Sequence, residues 1–568
     1  RSSDLHMVEQ FTIDVYRLYP GAKVLSMGKR DLEKKNRRKA FAKIAAGDHD
    51  IIIVPHSSFA FIDIAKETEE RYLEIELKAA EQAIKDAEAE DPNAGGFRKS
   101  PTVKQAERLR DKLTARMDRI KGRTKADRLL TFDQLGVDDL TVDEAHEFKN
   151  LFYSSKLSDV KGMGNPTGSQ KAYDLYNKVR VLRESPTGTV TFMTGTPISN
   201  SAVEMYNMMR YLAADQLSEL GLEHFDAWRA QFVSTDPGWE ADETGRLKEV
   251  RRLGRTWSNM RSLMDLYYSF TDSVGNDDIK AAYREDNPGK EFPIPRVKGG
   301  DRESVVIQPT EAQSEMLKTI IDDFNALPNI TDPKQRNATR LRLMDRARKV
   351  SLDVRAAERG SDSKEEGGKL EKVAAETKRI YDQFADKRGT QLIFLDRSVP
   401  KAATDKAELK AYDAVLAQRE AALAKGDEEG YRKANDKVET FDANAMEEMR
   451  AAQAGGWNAY QQIKDNLVAL GIPAGEIRFI QEANNDAQKQ ALFDAVNDGT
   501  VRVLIGSTQR IGAGTNVQKR LVGLHHADVT WKPSDIEQRE GRIIRQPSSD
   551  SFSLMEKYGP SHEVEIFA

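Results

Sequence analysis

Residues 140–146, LTVDEAH, decide the fold of this chain. An apolar run ends at Val142, and two adjacent carboxylates, Asp143 and Glu144, follow it. In α/β proteins, ligands bind at the carboxyl edge of a parallel sheet, where such a run would place both acids. The pattern predicts a Walker-B site, in which Asp143 holds Mg²⁺ directly or through water and Glu144 orients and polarises the attacking water. Taken alone, the same letters also fit a surface loop.

Apolar runs on both sides of this stretch predict an α/β fold with parallel sheets. Continuous apolar runs that alternate with helix-like segments are typical of strands buried on both faces. Such runs predict strands near residues 23–27, 50–55, 139–142 and 189–193 in the first half, and near 391–395, 477–480, 501–505 and 521–525 in the second half. The chain also ends in what resembles an incomplete strand, residues 564–567.

A second motif lies about 50 residues beyond the carboxylates. The segment FMTGTP, residues 192–197, again follows an apolar strand pattern. Its small hydroxyl residues, Thr194 and Thr196 on either side of Gly195, are suited to hydrogen-bond the segment that contains Asp143 and Glu144 and to relay the state of a nucleotide. The alternative is an ordinary strand-to-helix turn, with Pro197 at the start of a helix.

Two further motifs lie near the end of the chain. A Gly-rich turn after a strand exposes backbone N–H groups that face phosphates, and Gly512, Gly514 and Asn516 lie in such a turn. The segment QREGRIIR, residues 538–545, places Arg542 and Arg545 three residues apart, hence on one face if the segment is helical. A flexible turn and a basic surface helix are the corresponding structural alternatives.

The order of the four motifs favours a functional interpretation over four coincidences. The chain resembles the superfamily-two helicases of the Snf (chromatin-remodeller) type, a DEAH-box family of DNA translocases with two RecA-like lobes. It also resembles the large helicase-like proteins of phages and conjugative elements, in which a DNA methyltransferase domain often precedes the motor. That second resemblance rests on VDEAHEFKN, residues 142–150, and on HHADVTWKP, residues 525–533.

The resemblance implies an ATP-hydrolysing motor that acts on DNA, with double-stranded DNA as the partner and ATP and Mg²⁺ as cofactors. Glu144, Arg542 and Arg545 would be catalytic, and Asp143 would hold the metal. The implied nucleotide-binding residues are Asp143, His146, Thr194, Gly195, Thr196, Gly512, Gly514, Asn516 and Gln538.

Two departures from the family pattern stand out. The phosphate-binding sequence Gly-x-x-x-x-Gly-Lys-Ser/Thr is absent from the 568 residues, which we interpret as truncation of the first lobe at its N-terminus. A fragment without this loop is expected to be inactive as an ATPase. Pro547 also stands where family members tend to have Gly, which affects the expected geometry after Arg545.

The chain length and the changes in composition along the chain predict how it divides into domains. We predict a first RecA-like lobe at residues 1–215 with a helical insertion at about 66–128, a helical connector at 216–299, and a second lobe at 300–568 with an insertion at about 401–455. The second arm of the first insertion is basic, and a solvated charged helix is favoured there over a DNA-binding arm.

The net charge, the cysteine content and the hydropathy pattern limit the possible functions and location of the protein. The formal net charge is −5, so DNA contacts are expected from local patches and not from the whole surface. There is no cysteine, no membrane-spanning apolar run and no secretory leader pattern, so a cytoplasmic protein without a membrane partner is predicted. A strand-separating helicase and a non-hydrolysing DNA-binding scaffold remain the alternatives to a translocase.

Overall fold

The computed structural model describes most of the chain, and its contacts divide that chain into two units, residues 3–275 and 276–568. The residues described are 3–28, 31, 33, 35–89, 101–122, 130–157, 160–199, 201–241, 247–290, 292, 294–357, 368–397, 405–424, 457–483, 486–511, 516–528, 530, 533–544 and 563–568. Within these ranges, no helix is both long and apolar enough to cross a membrane.

The first unit contains short parallel strands between helices. Its strands are β1 Val24–Ser26, β2 Ile51–Ile53, β3 Asp139–Val142, β4 Val160–Lys161, β5 Thr189–Phe192, β6 Val233–Ala241 and β7 Leu247–Trp257. Its helices are α1 Ser3–Leu18, α2 Arg37–Ala46, α3 His56–Phe59, α4 Lys66–Ala89, α5 Pro101–Lys121, α6 Gln170–Arg183, α7 Ala202–Leu212, α8 Ala214–Glu219, α9 Phe225–Phe232 and α10 Met260–Tyr268.

Two parallel pairs, β1 with β2 and β3 with β5, form the α/β part of this unit. Leu25, Ile52, Leu140 and Val190, one from each of the four strands, pack against a common apolar core. The predicted strands are therefore present, although β2 is only partly buried, whereas its Ile-rich sequence suggested full burial.

Within residues 66–128, predicted as a helical insertion, the described residues form the helices α4 and α5, which pack against each other and against the core of the first unit. Residues 90–100 and 123–128 lie outside the described residues. Part of the basic character of α5 serves this packing. The Arg116 guanidinium lies over the Tyr173 ring at 3.6 Å, and Lys112 Nζ donates to the carbonyl oxygen of Thr167 at 2.7 Å. These two cations thus stabilise the attachment of the arm to its own unit.

The segment predicted as a helical connector contains helices and also an antiparallel strand pair, β6 with β7, which β4 extends to a three-stranded sheet. The sequence did not indicate this pair because most of β7 is exposed, so its residues lack the alternation of a half-buried strand.

The second unit is built on one parallel sheet. Its described strands are β8 Arg296–Val297, β9 Thr390–Phe394, β10 Ile477–Phe479, β11 Val503–Gly506, β12 Leu521–His526 and β13 Glu563–Phe567. Its described helices are α11 Asn276–Asp286, α12 Glu311–Ala326, α13 Pro333–Leu352, α14 Val354–Ala357, α15 Lys369–Gln383, α16 Asp405–Ala424, α17 Ala459–Ala469, α18 Asp486–Asp498, α19 Thr508–Ile511 and α20 Pro533–Glu540.

The strand order of this sheet is β10-β11-β9-β12-β13-β8, and every pairing is parallel. All residues of β9 and β11 are buried. Burial is what a continuous apolar run such as β11 predicts, whereas β9 begins with two buried polar residues, Thr390 and Gln391. The α/β fold class is therefore confirmed. Of the second predicted insertion, α16 is described, and the rest of residues 401–455 lies outside the described residues.

The chain passes from β11 to β12 across the central strand β9, so the carboxyl ends of these three strands form a topological switch point. Ligands of open α/β sheets bind at such points. This edge of the second unit is therefore one of the two places where site residues are expected.

Candidate functional site

The predicted carboxylates of the first unit lie at the carboxyl edge of β3, beside the end of β5. Val142 pairs with Phe192 in parallel register, and the pairing continues as the Met193 amide donates to the Val142 carbonyl at 2.8 Å. The Ala145 amide in turn donates to the Met193 carbonyl at 3.0 Å. These bonds bring residues 143–146 next to the Thr-Gly-Thr-Pro segment.

His146 connects the two motifs. Its Nδ1 lies 3.1 Å from Thr194 Oγ1 and 3.2 Å from Glu144 Oε2. Thr194 Oγ1 also accepts a hydrogen bond from the Thr196 amide at 3.1 Å, which fixes the turn around Gly195. The hydroxyl group expected to reach the carboxylate segment therefore does so through the imidazole.

Glu144 adopts a left-handed backbone conformation, with φ 48° and ψ 43°. Non-glycine residues rarely occupy this region, and backbone strain of this kind is concentrated at functional sites. Glu144 caps the short 3-10 turn Ala145–Phe148, and its side chain remains about half exposed. The turn thus presents the second carboxylate toward solvent beside the half-buried Asp143.

Burial raises the pKa of Asp143, and the hydrogen bond with the Glu144 backbone opposes that effect. The described residues contain no group of three or more His, Cys, Asp or Glu side chains placed to hold a metal ion. A single carboxylate at a sheet edge suits Mg²⁺, which commonly binds through one or two carboxylates while water and phosphate oxygens complete its shell.

Helix α7 holds the segment that follows the carboxylates. Lys149 Nζ lies 3.2 Å from Glu204 Oε2 and contacts Ser199 Oγ, while the Ser199 amide donates to the same Glu204 oxygen at 2.7 Å. One turn further along α7, Asn207 Nδ2 donates to the carbonyl oxygens of Lys149 and Leu151 at 2.9 and 3.1 Å. These polar contacts tie the two motifs together, and the sequence alone had not singled them out.

In the second unit, three polar residues lie two positions beyond three adjacent strands. Asp396 follows β9, Thr508 follows β11 and Asp528 follows β12. Asp396 Oδ1 accepts from the Thr508 amide at 2.6 Å, and Asp528 Oδ2 accepts from the Asp396 amide at 2.7 Å. Their shared offset from the strand ends is the signal that could have identified Asp396 as a member of this cluster.

Arg539 of α20 is the centre of this cluster and is fully buried. Its guanidinium donates to Thr508 Oγ1 at 2.7 Å, to Asp396 Oδ2 at 2.7 Å and to Asp528 Oδ1 at 3.0 Å. Helical spacing alone predicts that Arg539, three residues before Arg542 and six before Arg545, lies at the margin of an arginine face, and that its replacement has a mild effect on DNA binding or on packing. The structure instead places it inside the second unit, where it anchors α20.

Arg542, the described member of the predicted arginine pair, does not lie on a regular helix. Helix α20 ends at Glu540, and residues 541–543 continue as turns, with the Arg542 amide donating to the Arg539 carbonyl at 3.1 Å. Gly541 follows the helix directly, at a position where glycine commonly ends helices. The shared arginine face required the segment to be helical, and this condition fails at Arg542, which lies beyond the helix end.

The other predicted residues of this unit are only partly described. Gln538 is exposed on α20, and Asn516 is exposed after the Gly-rich turn, where its carbonyl oxygen accepts from Asn497 Nδ2 at 2.7 Å. Gly512, Gly514 and Arg545 lie outside the described residues. Their roles, and those of the other predicted site residues, stay predictions.

Comparison with known proteins supports a helicase-like domain. Residues 7–274 match a protein-family model described as "Probable helicase domain", and this match ends at the boundary of the first unit. Residues 7–274 are thus similar to a helicase domain, a class that suggests a nucleic-acid-dependent motor.

Two individual proteins are similar to the chain. The defense against restriction protein B of Escherichia phage P1 is 21% identical over 572 residues, which cover 87% of this chain and 25% of that protein. The chain therefore spans about a quarter of the length of this curated relative. The crystal structure of the Pyrococcus furiosus Hef helicase domain aligns with 100% of this chain and 90% of its own, at 13% identity, but its TM-score of 0.27 is too low to support an argument.

Proposed function

We propose that this chain is the motor region of an ATP-dependent DNA translocase of the Snf type. The observation that carries the proposal is the edge of β3 and β5, where Asp143 and Glu144 adjoin Thr194 through His146, with 3.1 Å between the imidazole and the hydroxyl. The helicase-domain match over residues 7–274 supports the same assignment.

The proposed roles follow from the chemistry of each side chain. Asp143 would hold Mg²⁺, which when bound with ATP supplies positive charge at the phosphate oxygens. Glu144 orients a water molecule and accepts its proton, and the Thr194–His146 contact lets the second motif sense the state of that carboxylate. Arg542 and Arg545 would stabilise negative charge on the transferring phosphoryl group.

The name of the phage relative concerns defence against restriction. The resemblance to phage and conjugative-element proteins favours the same biological context. We therefore propose that the motor acts in a DNA modification or restriction context, in company with a methyltransferase domain.

The first prediction concerns Glu144→Gln. The amide is not a base, so DNA-stimulated ATP turnover should fall by about 10²- to 10⁴-fold while nucleotide affinity changes little. Glu147→Gln is the matched control, because Glu147 is also exposed, lies in the same turn and pairs with Lys171. Undiminished turnover in Glu144→Gln would remove this residue from the mechanism.

The polypeptide used for this measurement has to supply a phosphate-binding loop, which the 568 residues do not contain. Residues 1–568 alone should therefore turn over ATP negligibly and yet bind DNA, with an affinity that falls steeply as salt releases phosphate contacts. The missing loop also favours a second candidate function, a non-hydrolysing DNA-binding scaffold. DNA binding without ATP turnover in the loop-containing polypeptide would establish that alternative.

A further inference from the structure

The antiparallel pair of β6 and β7 forms a ribbon that packs into the apolar core at one end and carries exposed side chains, Trp239 and Leu247, toward the other. We call this element the β6–β7 ribbon, comprising Val233–Ala241 and Leu247–Trp257. Its register runs from Val233 opposite Trp257 to Ala241 opposite Leu247. Neither the sequence motifs nor the proposed ATP site uses any of its residues.

The fixed end of the ribbon is part of the apolar core of the first unit. Val233, Leu253 and Trp257 pack there with Trp228 of α9. Ser201, the N-cap of α7, donates to the Gly162 carbonyl just after β4, so the ribbon's sheet is tied to the helix that follows the Thr-Gly-Thr-Pro motif. The base of the ribbon is therefore rigid and adjoins the proposed site segment.

One face of the ribbon exposes large apolar side chains. Trp239 is 67% exposed and Leu247 is 70% exposed. Trp239 lies opposite Glu249, so Leu247 and Arg251 are its diagonal neighbours on the same face. A tryptophan side chain commonly buries about 150–250 Å² in a core or interface, so its exposure here indicates a binding surface.

The other face carries an excess of positive charge. Arg252 Nε lies 2.7 Å from Glu240 Oε1, Lys161 Nζ lies 2.9 Å from Glu240 Oε2, and Arg255 is 3.3 Å from Oε1. Three cations thus surround one carboxylate. The hydrogen bond from Arg252, followed by that from Lys161, lowers the pKa of Glu240 to about 2, so the carboxylate is ionised and the group keeps a net charge of two positive units.

We propose that the β6–β7 ribbon is a wedge that engages nucleic acid at the junction of a duplex and its single strands. Trp239 stacks on an unpaired base or the last base pair, and the cations around Glu240 contact backbone phosphates. Single-strand-binding proteins combine aromatic stacking with positively charged surfaces in this way. The inference rests on the proposed function and deepens it, because a wedge adds strand separation to translocation.

The test measures binding of the 568-residue chain to fluorescein-labelled forked DNA, single-stranded DNA and blunt duplex by anisotropy. Trp239→Ala should weaken binding to the fork and the single strand by about 5- to 150-fold, the range for loss of one stacked base, and should affect the blunt duplex much less. Trp239→Phe keeps a stacking ring and should retain most of the affinity. Leu220→Ser is the matched control, since Leu220 is also exposed at 59% in the same unit.

Photo-crosslinking from 5-iododeoxyuridine placed at the fork junction, mapped by mass spectrometry, should identify Trp239 as the attached residue. Unchanged thermal melting of Trp239→Ala would confirm that the variant folds. If Trp239→Ala binds forked DNA with an affinity within twofold of the wild type, the wedge proposal is overturned and the proposed motor stays intact. The exposed face of the ribbon would then serve a protein partner. Absence of all DNA binding by the wild type would overturn both proposals.

Discussion

Replacement of the buried Arg539 should destabilise the second unit more than replacement of any exposed arginine. Arg539→Met leaves Asp528, 8% exposed, and Asp396 without their shared guanidinium. Removal of one partner from a buried ion pair costs about 3–5 kcal/mol. Asp528 keeps the hydrogen bonds from the Asp396 and Arg397 amides, at 2.7 and 3.0 Å, so we expect the lower end, about 3 kcal/mol.

Arg539→Lys keeps the positive charge and therefore tests the shape of the cationic group. An ammonium group lacks the planar fork that reaches Thr508, Asp396 and Asp528 together, so at least one charge-assisted bond is lost. The expected cost is about 1.5–3 kcal/mol. Arg478→Met is the control in the same unit, because the Arg478–Glu482 pair is 43% and 31% exposed and should contribute about 0–1 kcal/mol.

Amide hydrogen exchange in β9, β11 and β12 measures the free energy of opening the sheet that carries the network. The double variant Arg539→Met/Asp528→Asn should lose less than the sum of the single variants, because the two groups interact directly. A loss in Arg539→Met no larger than in Arg478→Met, or strict additivity in the double variant, would refute the assigned role.

The destabilisation caused by Arg539→Met should change with pH in a defined direction. Burial raises the pKa of Asp528, and the Arg539 charge opposes that rise. Without the guanidinium the folded-state pKa rises further above the unfolded value, so the folded state gains stability as pH falls and the carboxyl takes a proton. The destabilisation should therefore be largest near neutral pH and smaller in acid.

Two further predictions concern the same unit. Burial lowers the pKa of both His525 and His526 to about 3, so the unfolded state binds more protons than the folded state below about pH 6.5. The free energy of unfolding should therefore be at its full value above that pH and fall toward pH 3, by up to about 1.4 kcal/mol per pH unit for each histidine. In urea titrations at several pH values, His525→Gln should reduce this slope. Arg542→Lys, measured in the loop-containing polypeptide, should reduce DNA-stimulated turnover by about 10³- to 10⁵-fold with little change in ATP affinity, whereas equal effects on both would argue against a role in phosphoryl transfer.

The sequence by itself determined the α/β class and the positions of most strands. Residues 392–394 and 503–506 lie in buried strands because continuous apolar runs are typical of a sheet covered on both faces. The carboxylates at residues 143 and 144 follow a strand end for the same local reason. These features depend on residues that are neighbours in the chain, so a one-dimensional pattern contains them.

Only the tertiary structure decided which polar groups meet. Arg539 and Asp396 are 143 residues apart in sequence, and the choice between a surface arginine and a buried one depended on which carboxylates the sheet brings to that edge. The β6–β7 ribbon was missed because a strand exposed on both faces has no hydrophobic period, and its pairing and anchorage come from contacts with β4 and α9. Long-range burial and charge pairing carry no local signal, and for that reason they appear only in the folded chain.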